Sequence, residues 1–441
     1  MDSAILTTLL IVAVGLSNQD SCDGDNPLIL TPMLNCGHIE MAKNMSFVRN
    51  LPQAKEIESY SGFFTVNKEF DSNMFFWFFP SKRKNDPVML WLQGGPGLSS
   101  LLGLFSLNGP LKVDENMVIS TRKYAWTRSL SMLYIDNPVG VGFSFTKSEN
   151  GYSRNQMDVA HNLYEALKQF FTLFPEQRAN DFYVAGQSYA GKYVPSLAYK
   201  IVTNKSFEIN FKGIAYGNGF THPISTLNYH SLLFNFGLID EHQSLILKEK
   251  EDELKKMIAF KHFSAAYYMF GDVYASIRNF TGYTYVYNLV EHERPKDLDN
   301  FEQYVLLPET RQAIHVGNLT FKSYSRLVSI RLLEDLMDSV KHLLEFILNR
   351  NYKVLLYSGN LDIIVATPFI ENFIQSLNWT HNKEYFSATR SLWKVNGNLA
   401  GFIKKAKNFA FVTVRNAGHL VPYDQPEAAF DMITRFVENK L

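Results

Sequence analysis

The sequence predicts an α/β fold built on a largely parallel sheet, and three features of the chain lead to that prediction. Short apolar runs rich in β-branched and aromatic residues recur along it. Most of these runs are continuous rather than alternating, which is typical of strands buried on both faces. Helical patterns lie between several of them. Strands and helices that alternate in this way favour an α/β domain with a parallel sheet.

The predicted elements follow in chain order. Two segments, 155–174 and 331–350, carry apolar residues at helical spacing. Seven apolar runs are predicted strands: 73–80, 87–94, 131–138, 181–187, 212–219, 353–359 and 409–418.

The interval 222–330 breaks this rhythm. It contains the charge run KEKEDELKK, typical of a solvated helix face, and no convincing buried strand. We therefore expect a largely helical insertion at 222–330 between two parts of a core, 25–221 and 331–441.

Charge and hydropathy exclude several classes of partner. The 441 residues carry 43 basic and 43 acidic side chains, so no net charge attracts nucleic acid or an anionic membrane. An apolar run and the small residues after it predict a secretory signal peptide at residues 1–17. Asp2 stands where basic residues are usual, and a buried N-terminal helix is the alternative. No other stretch approaches the roughly 20 apolar residues of a membrane span.

Two further features agree with secretion. Cys22 and Cys36 lie close together after the predicted cleavage site, where they could form a disulfide that closes a short surface loop. An Asn-rich chain produces sequons by chance, so those in this chain agree with secretion without establishing it. The candidate glycosylation sites are Asn44, Asn204, Asn279, Asn318 and Asn378.

The stretch VAGQSYAGKYVP, residues 184–195, has the arrangement of a nucleophile elbow. Gly186 and Ala190 lie two residues on either side of Ser188, with an apolar strand before them and a helix-compatible segment after them. That setting exposes a serine hydroxyl above the sheet edge, and small residues flank the turn because larger ones would clash with its backbone. The pattern alone is weak, but its setting predicts a nucleophile at Ser188.

Two later residues suit a serine nucleophile, which needs a base and an acid that orients the base. Asp362 and His419 each come just after a predicted strand. Loops that leave the carboxyl edge of a parallel sheet are where such sites are built. The chain order Ser, Asp, His is that of α/β-hydrolases. We therefore expect Ser188, Asp362 and His419 to form a catalytic triad.

The segment WLQGGPGLSS, residues 91–100, adds a third element directly after a predicted strand. The consecutive Gly94 and Gly95 let the backbone approach a ligand and direct N–H groups at it, as an oxyanion hole requires. A tight turn with no chemical role is the alternative for this segment taken alone.

Five spaced motifs resemble those of the serine carboxypeptidase family and, within it, of the vitellogenic-carboxypeptidase-like branch: WLQGGPG, DNPVGVGFSF, GQSYAGKYVP, YSGNLD and AGHLVPYDQP. The resemblance runs from about Leu28 to the C-terminus. It implies an α/β-hydrolase fold with a mixed, mostly parallel sheet and a helical cap inserted after the strand near Gly219. It also implies a secreted or lysosomal protein that removes single C-terminal residues from peptides with a free C-terminus, with no metal or cofactor.

The resemblance also implies a role for each site residue. Ser188 matches the nucleophile, His419 the general base and acid, and Asp362 the residue that holds the imidazole. The backbone N–H groups of Gly95 and Tyr189 match those of the oxyanion hole.

The sequence departs from the family where the substrate's terminal carboxylate is held. The family uses residues at the positions of Trp91, Gln93 and Gly94 together with two glutamates, but Gln187 and Leu107 stand at the glutamate positions here. The two glutamates are thought to share a proton, and a glutamine resembles a protonated glutamate that always carries N–H donors. Our hypothesis is a carboxylate clamp that is insensitive to pH or weakened, beside an intact triad.

Three functions remain open at this point. The first is a serine carboxypeptidase, and the second is a related acyltransferase or esterase, which a weakened clamp would suit. The third is a secreted non-catalytic homologue that binds peptides, with which an intact triad is hard to reconcile. The sequence decides neither the side-chain preference nor between a monomer and a homodimer.

Overall fold

The computed structural model describes residues 25–441, which build a ten-stranded mixed sheet and a separate two-stranded ribbon. The predicted signal peptide, 1–17, and Cys22 lie outside these residues, so the proposed disulfide stays a prediction; Cys36 is exposed. The strands are β1 (Tyr60–Asn67), β2 (Ser72–Phe79), β3 (Val88–Leu92), β4 (Leu111–Val113), β5 (Ile119–Thr121), β6 (Ser131–Ile135), β7 (Phe182–Gln187), β8 (Phe211–Gly217), β9 (Lys353–Gly359), β10 (Ser391–Val395), β11 (Asn398–Ala406) and β12 (Phe409–Val414).

The middle of the sheet is parallel and both of its margins are antiparallel. The strand order is β1-β2-β6-β3-β7-β8-β9-β12-β11-β10. Strands β6, β3, β7, β8, β9 and β12 run parallel to one another, whereas β1 and β2 on one side and β11 and β10 on the other pair antiparallel. The predicted mixed, mostly parallel sheet is confirmed.

Helices complete the described part of the chain. They are α1 (Thr31–Asn35), α2 (Ile39–Ser46), α3 (Gln156–Leu173), α4 (Ala190–Thr203), α5 (Tyr229–Asn235), α6 (Glu241–Ala259), α7 (Phe263–Thr281), α8 (Asn300–Tyr304), α9 (Pro308–Ala313), α10 (Arg326–Arg331), α11 (Leu333–Met337), α12 (Lys341–Asn349), α13 (Thr367–Ser376), α14 (Asn382–Ser387), α15 (Val421–Asp424) and α16 (Pro426–Val437). Among residues 25–441, no helix combines the length and the apolarity that crossing a membrane requires.

The sheet is buried on both faces because successive strand residues enter two different cores. In β3, Leu90 packs in one apolar cluster and Met89 in the other. The first cluster includes residues of α3, α4, α12 and α13, and the second includes residues of α16. This alternation explains the continuous apolar runs of the central strands, since both side-chain directions lead into a core.

The edge strands explain what the sequence prediction missed. Strands β10 and β11 form an antiparallel hairpin, and β10 keeps only Trp393 buried. A search for continuous apolar runs does not find such strands, because they cover little of the core. Strand β1 was also missed, and it pairs with the apolar β2.

The segment 222–330 is helical in the structure, and we call it the cap. It contains α5 to α9, all but the last residue of α10, and no strand of the sheet within the described chain. Its division from the core as a separate domain remains a proposal.

The predicted single helix at 331–350 is wrong in one respect, because it is broken into α11 and α12. The backbone is extended at Asp338. The buried Lys192 ammonium donates hydrogen bonds to this break, at the main-chain oxygens of Asp335 and Asp338.

Candidate active site

The elbow forms where β7 passes directly into α4. Ser188 has a φ of 62°, in the left-handed region that costs a non-glycine residue energy. Its N–H donates to the Gly217 carbonyl at 3.0 Å, and its carbonyl accepts the N–H groups of Gly191 and Phe220 at 2.8 and 2.9 Å. These three bonds hold the strained turn, and the side chain of Ser188 is half-buried on a pocket wall.

A hydrogen bond that replaces one missing from α4 connects the elbow to the loop after β8. Pro195 lies inside the helix and has no N–H for the carbonyl of Gly191. The hydroxyl of Thr221 donates to that carbonyl instead, at 3.0 Å. The missing helical bond is thereby replaced by a contact that fixes α4 against the end of β8.

Asp362 and His419 meet across the carboxyl ends of β9 and β12. The Nδ1 atom of His419 lies 2.7 Å from Oδ2 of Asp362, and the two residues are 2% and 4% exposed. The other carboxylate oxygen, Oδ1, accepts the N–H groups of Ile364 and Val365 at 2.9 and 3.2 Å. A carboxylate that is only an acceptor assigns the proton to Nδ1, which leaves Nε2 of the neutral ring as an acceptor.

Two residues that sequence reasoning missed complete this pair. Asn218 donates its Nδ2 to Oδ2 of Asp362 at 2.6 Å. Tyr287 of the cap stacks on the His419 ring, with centroids 4.7 Å apart, and its main-chain oxygen accepts the main-chain N–H of His419 at 2.6 Å. An Asn before a glycine at a strand end is a detectable signal for Asn218, whereas nothing local marks Tyr287.

The glycine loop after β3 packs against the elbow. A Cβ atom on Gly94 would lie 2.6 Å from the nitrogen of Tyr189 and 2.7 Å from the oxygen of Gln187, so only glycine permits this approach. The N–H groups of Gly95 and Tyr189 find no acceptor within residues 25–441. Two donors are thus free beside Ser188.

Asp136 anchors the same loop from the end of β6. Its Oδ1 accepts the hydroxyl of Ser99 at 2.5 Å and the N–H of Ser100 at 3.0 Å, and its Oδ2 accepts the N–H of Phe143 at 2.9 Å. Burial raises the pKa of Asp136 to about 6.

The residues predicted to hold a carboxylate are mostly buried. Gln93 lines the pocket and accepts the Trp91 indole N–H at 3.2 Å. Trp91 and Gln187 are 0% and 1% exposed. Neither side-chain polar atom of Gln187 has a hydrogen-bond partner within the described residues. Leu107, at the other departure from the family, is buried in a π-helical turn, Gly103–Leu107.

Behind the elbow, a buried polar network joins it to α11. The carboxylate of Asp335 accepts the hydroxyl of Tyr189 and the side-chain amide of Gln156, the latter at 2.6 Å. Burial lowers the pKa of Lys192 on α4 to about 8. Tyr189, the residue that follows the nucleophile, is therefore held by its side chain, through the hydrogen bond to Asp335.

A pocket of about 480 Å³ joins these elements. Ser188, His419, Gln93 and Gly95 line it from the core. The remaining lining residues are mostly from the cap and its margin, and include Tyr287, Arg294, Asp299, Phe301, Glu302 and Tyr324.

Comparison with known proteins identifies the family of the chain. The family model described as serine carboxypeptidase matches residues 50–439. The chain belongs to the serine carboxypeptidase family. As a member of this family it is a serine-type carboxypeptidase, a hydrolase, which confirms the enzymatic prediction.

Similar proteins come from several animals. The venom serine carboxypeptidase of Apis mellifera is 43% identical over 432 residues, 95% of this chain and 92% of its own length. A probable serine carboxypeptidase of Homo sapiens, CPVL, is 44% identical over 435 residues, 95% of this chain and 91% of its own. The vitellogenic carboxypeptidase of Aedes aegypti is 40% identical over 430 residues, 94% of this chain and 90% of its own.

A solved structure confirms the fold. The Kex1(delta)p carboxypeptidase of Saccharomyces cerevisiae superposes with a TM-score of 0.80 at 22% identity, covering 90% of this chain and 96% of that one. The predicted α/β-hydrolase fold is therefore confirmed.

Proposed function

We propose that this carboxypeptidase releases C-terminal residues from peptides through an acyl-enzyme on Ser188. His419 acts as general base and then general acid, and Asp362 orients its ring. The 2.7 Å contact between His419 Nδ1 and Asp362 Oδ2, with Ser188 and His419 on one pocket, is the observation that supports this most strongly.

The steps follow from the positions of the donors. Nε2 of His419 takes the hydroxyl proton as the oxygen of Ser188 attacks the last peptide carbonyl. The N–H groups of Gly95 and Tyr189 stabilise the resulting oxyanion. The imidazolium then protonates the leaving amino acid, and water repeats the sequence in reverse to free Ser188. The charge on Asp362 stabilises the imidazolium in both halves.

Digestion of a defined peptide mixture, read by mass spectrometry, tests this function. We expect ladders that lose one residue at a time from the C-terminus, and none from peptides with an amidated C-terminus. Ser188→Ala should abolish the ladders. Internal cleavage, or ladders that persist in the variant, would contradict the proposal.

In this proposal the substrate's carboxylate is held by a clamp that has no ionisable group at Gln187 or Leu107, the two positions where the family has glutamates. Burying an amide without a partner costs about 1–3 kcal/mol, and both polar atoms of Gln187 are in that state. A substrate carboxylate would give the Nε2 donors of Gln187 their missing acceptor. Since an amide does not titrate, the KM for a peptide should change little with pH.

Measuring KM and kcat for a blocked dipeptide between pH 4 and 8 tests the clamp. The Gln187→Glu variant should show a KM that rises as the new carboxyl ionises, whereas the wild type should not. The series is repeated with Asp424→Asn, because burial raises the pKa of Asp424 to about 6 and its titration could imitate a clamp acid. A steep rise of KM near pH 5 in both the wild type and Asp424→Asn, which each keep Gln187, would contradict the clamp.

Acyl transfer or ester hydrolysis is the second candidate. Loss of both glutamates, with Leu107 buried at one of the positions, favours it because a substrate without a carboxylate loses less in such a site. Matched ester and peptide substrates with and without a free carboxylate separate the two. A kcat/KM higher for the neutral ester, with acyl transfer to an added alcohol, would favour the second function.

We also propose that the protein enters the secretory pathway. One relative bears the name of a venom protein, and four of the five candidate glycosylation sites are exposed, with Asn204 half-buried. Glycosidase treatment of the protein expressed in animal cells should increase its gel mobility if these sites are used.

A further inference from the structure

The pocket beside Ser188 carries three charged side chains, all from the cap. Arg294, Asp299 and Glu302 line it together with Ser188 and His419. None of the five sequence motifs includes these three residues.

Two of the three charges neutralise each other. Nε and Nη2 of Arg294 donate to the two oxygens of Asp299, each at 2.6 Å. This is a bidentate pair that uses both carboxylate oxygens. Arg294 is therefore committed to Asp299 and does not leave a positive charge in the pocket.

Glu302 is the charge that remains. It lies on the short helix α8 and is half-buried. Within residues 25–441 its carboxylate has neither a hydrogen-bond partner nor an ion-pair partner. The charges that line the pocket thus sum to one negative unit, placed where a substrate side chain can reach it.

The neighbouring surfaces suit a long cationic side chain. Tyr287, Phe301 and Tyr324 contribute aromatic surface to the same pocket. Lysine and arginine pack their aliphatic stems on apolar surface while the charged end stays near a polar partner, and aromatic faces attract cations. An acidic substrate side chain would meet Glu302 without compensation.

We infer that the enzyme prefers a basic residue next to the cleaved bond and that Glu302 binds it. This inference rests on the proposed carboxypeptidase function and specifies its substrate class. An ion pair in a partly solvated pocket discriminates by about tenfold between a lysine and a neutral residue of similar size.

The test compares kcat/KM for blocked dipeptides Leu-Leu, Lys-Leu and Leu-Lys with the full-length enzyme, and Glu-Leu and Leu-Glu are added for the charge-reversed variant. The measured quantity is the better lysine peptide's kcat/KM divided by that of Leu-Leu. Glu302→Gln should lower this ratio about tenfold, and Glu302→Lys should reverse the preference towards Glu-Leu or Leu-Glu. Glu293→Gln is the matched control, because Glu293 lies in the loop that carries Arg294, has a side chain 75% exposed and is not among the residues that line the pocket. It should leave the ratio unchanged.

The outcomes separate the inference from the function on which it rests. A wild-type ratio near one, or a ratio that Glu302→Gln leaves unchanged, would overturn the inference while carboxypeptidase activity on Leu-Leu stands. An equal loss on all three peptides would also overturn it, since that indicates a structural role for Glu302. Failure of the wild type to cleave any of the peptides would instead contradict the proposed function.

Discussion

Replacing Asp362 by asparagine should lower both activity and stability, because every oxygen of this carboxylate is hydrogen-bonded. The carboxylate receives four donors, two on each oxygen: the His419 and Asn218 side chains on Oδ2, and the N–H groups of Ile364 and Val365 on Oδ1. An amide has one oxygen, so either orientation of an asparagine directs its NH₂ group at two donors. No rotation of the side chain relieves this conflict.

The magnitude follows from those contacts. Each lost charge-assisted hydrogen bond costs about 1.5–3 kcal/mol. With the amide NH₂ toward His419 and Asn218, a change of the His419 tautomer restores the first contact and the Asn218 bond is lost, which predicts about 1.5–3 kcal/mol of lost stability. With the amide NH₂ against Nδ1, the His419 proton moves to Nε2 and the ring can no longer accept from Ser188. We expect kcat to fall about 10⁴-fold, as in the serine-protease precedent for the same exchange.

The assay is kcat/KM on a blocked dipeptide, with thermal unfolding measured in parallel. Asp86→Asn is the matched control, because Asp86 is also a mostly buried carboxylate, 8% exposed, but lies just before β3, at the opposite end of that strand from the glycine loop. It should alter stability without changing kcat. A folded Asp362→Asn enzyme that keeps kcat within tenfold of the wild type would refute the assignment of Asp362.

Two further predictions concern the glycine loop and pH. Gly94→Ala places a Cβ atom 2.6 Å from the nitrogen of Tyr189. Because this displaces the Tyr189 N–H, we expect kcat/KM to fall about 100-fold. An unchanged kcat/KM would contradict the oxyanion role. Burial raises the pKa of Asp424 from 3.8 to about 6, so its contribution to stability is full below about pH 4 and is lost as pH rises through 6, by at most about 3 kcal/mol. Asp424→Asn keeps an acceptor for the Gly418 N–H and removes the titrating group. The unfolding free energy, measured with denaturant, should therefore change less between about pH 4 and 6 in the variant than in the wild type. Parallel curves for the two proteins would contradict this prediction.

The central sheet and the meeting of Asp362 with His419 could be predicted from the sequence, because both depend on periodic or ordered local signals. Continuous apolar runs mark the strands whose residues enter two cores, and each candidate triad residue follows such a run. β10 gave no comparable signal, since only Trp393 of that strand is buried.

Long-range contacts explain what the sequence did not predict. Tyr287 and Glu302 come from the cap, and their place on the same pocket as His419 depends on how segments far apart in the chain pack against the core. At the break between α11 and α12, the main-chain oxygens of Asp335 and Asp338 accept hydrogen bonds from Lys192, which lies 143 residues before Asp335. The apolar spacing of 331–350 predicts one continuous helix and does not indicate that contact.

Labelling with a fluorophosphonate tests the central claim most directly. The reagent forms a covalent adduct with a serine only where a neighbouring base activates it, and peptide mapping by mass spectrometry locates the adduct. We predict one adduct, on Ser188, that disappears in His419→Ala while that variant remains folded. An unlabelled wild-type enzyme, or an adduct on another serine, would contradict the assignment of Ser188 as the nucleophile.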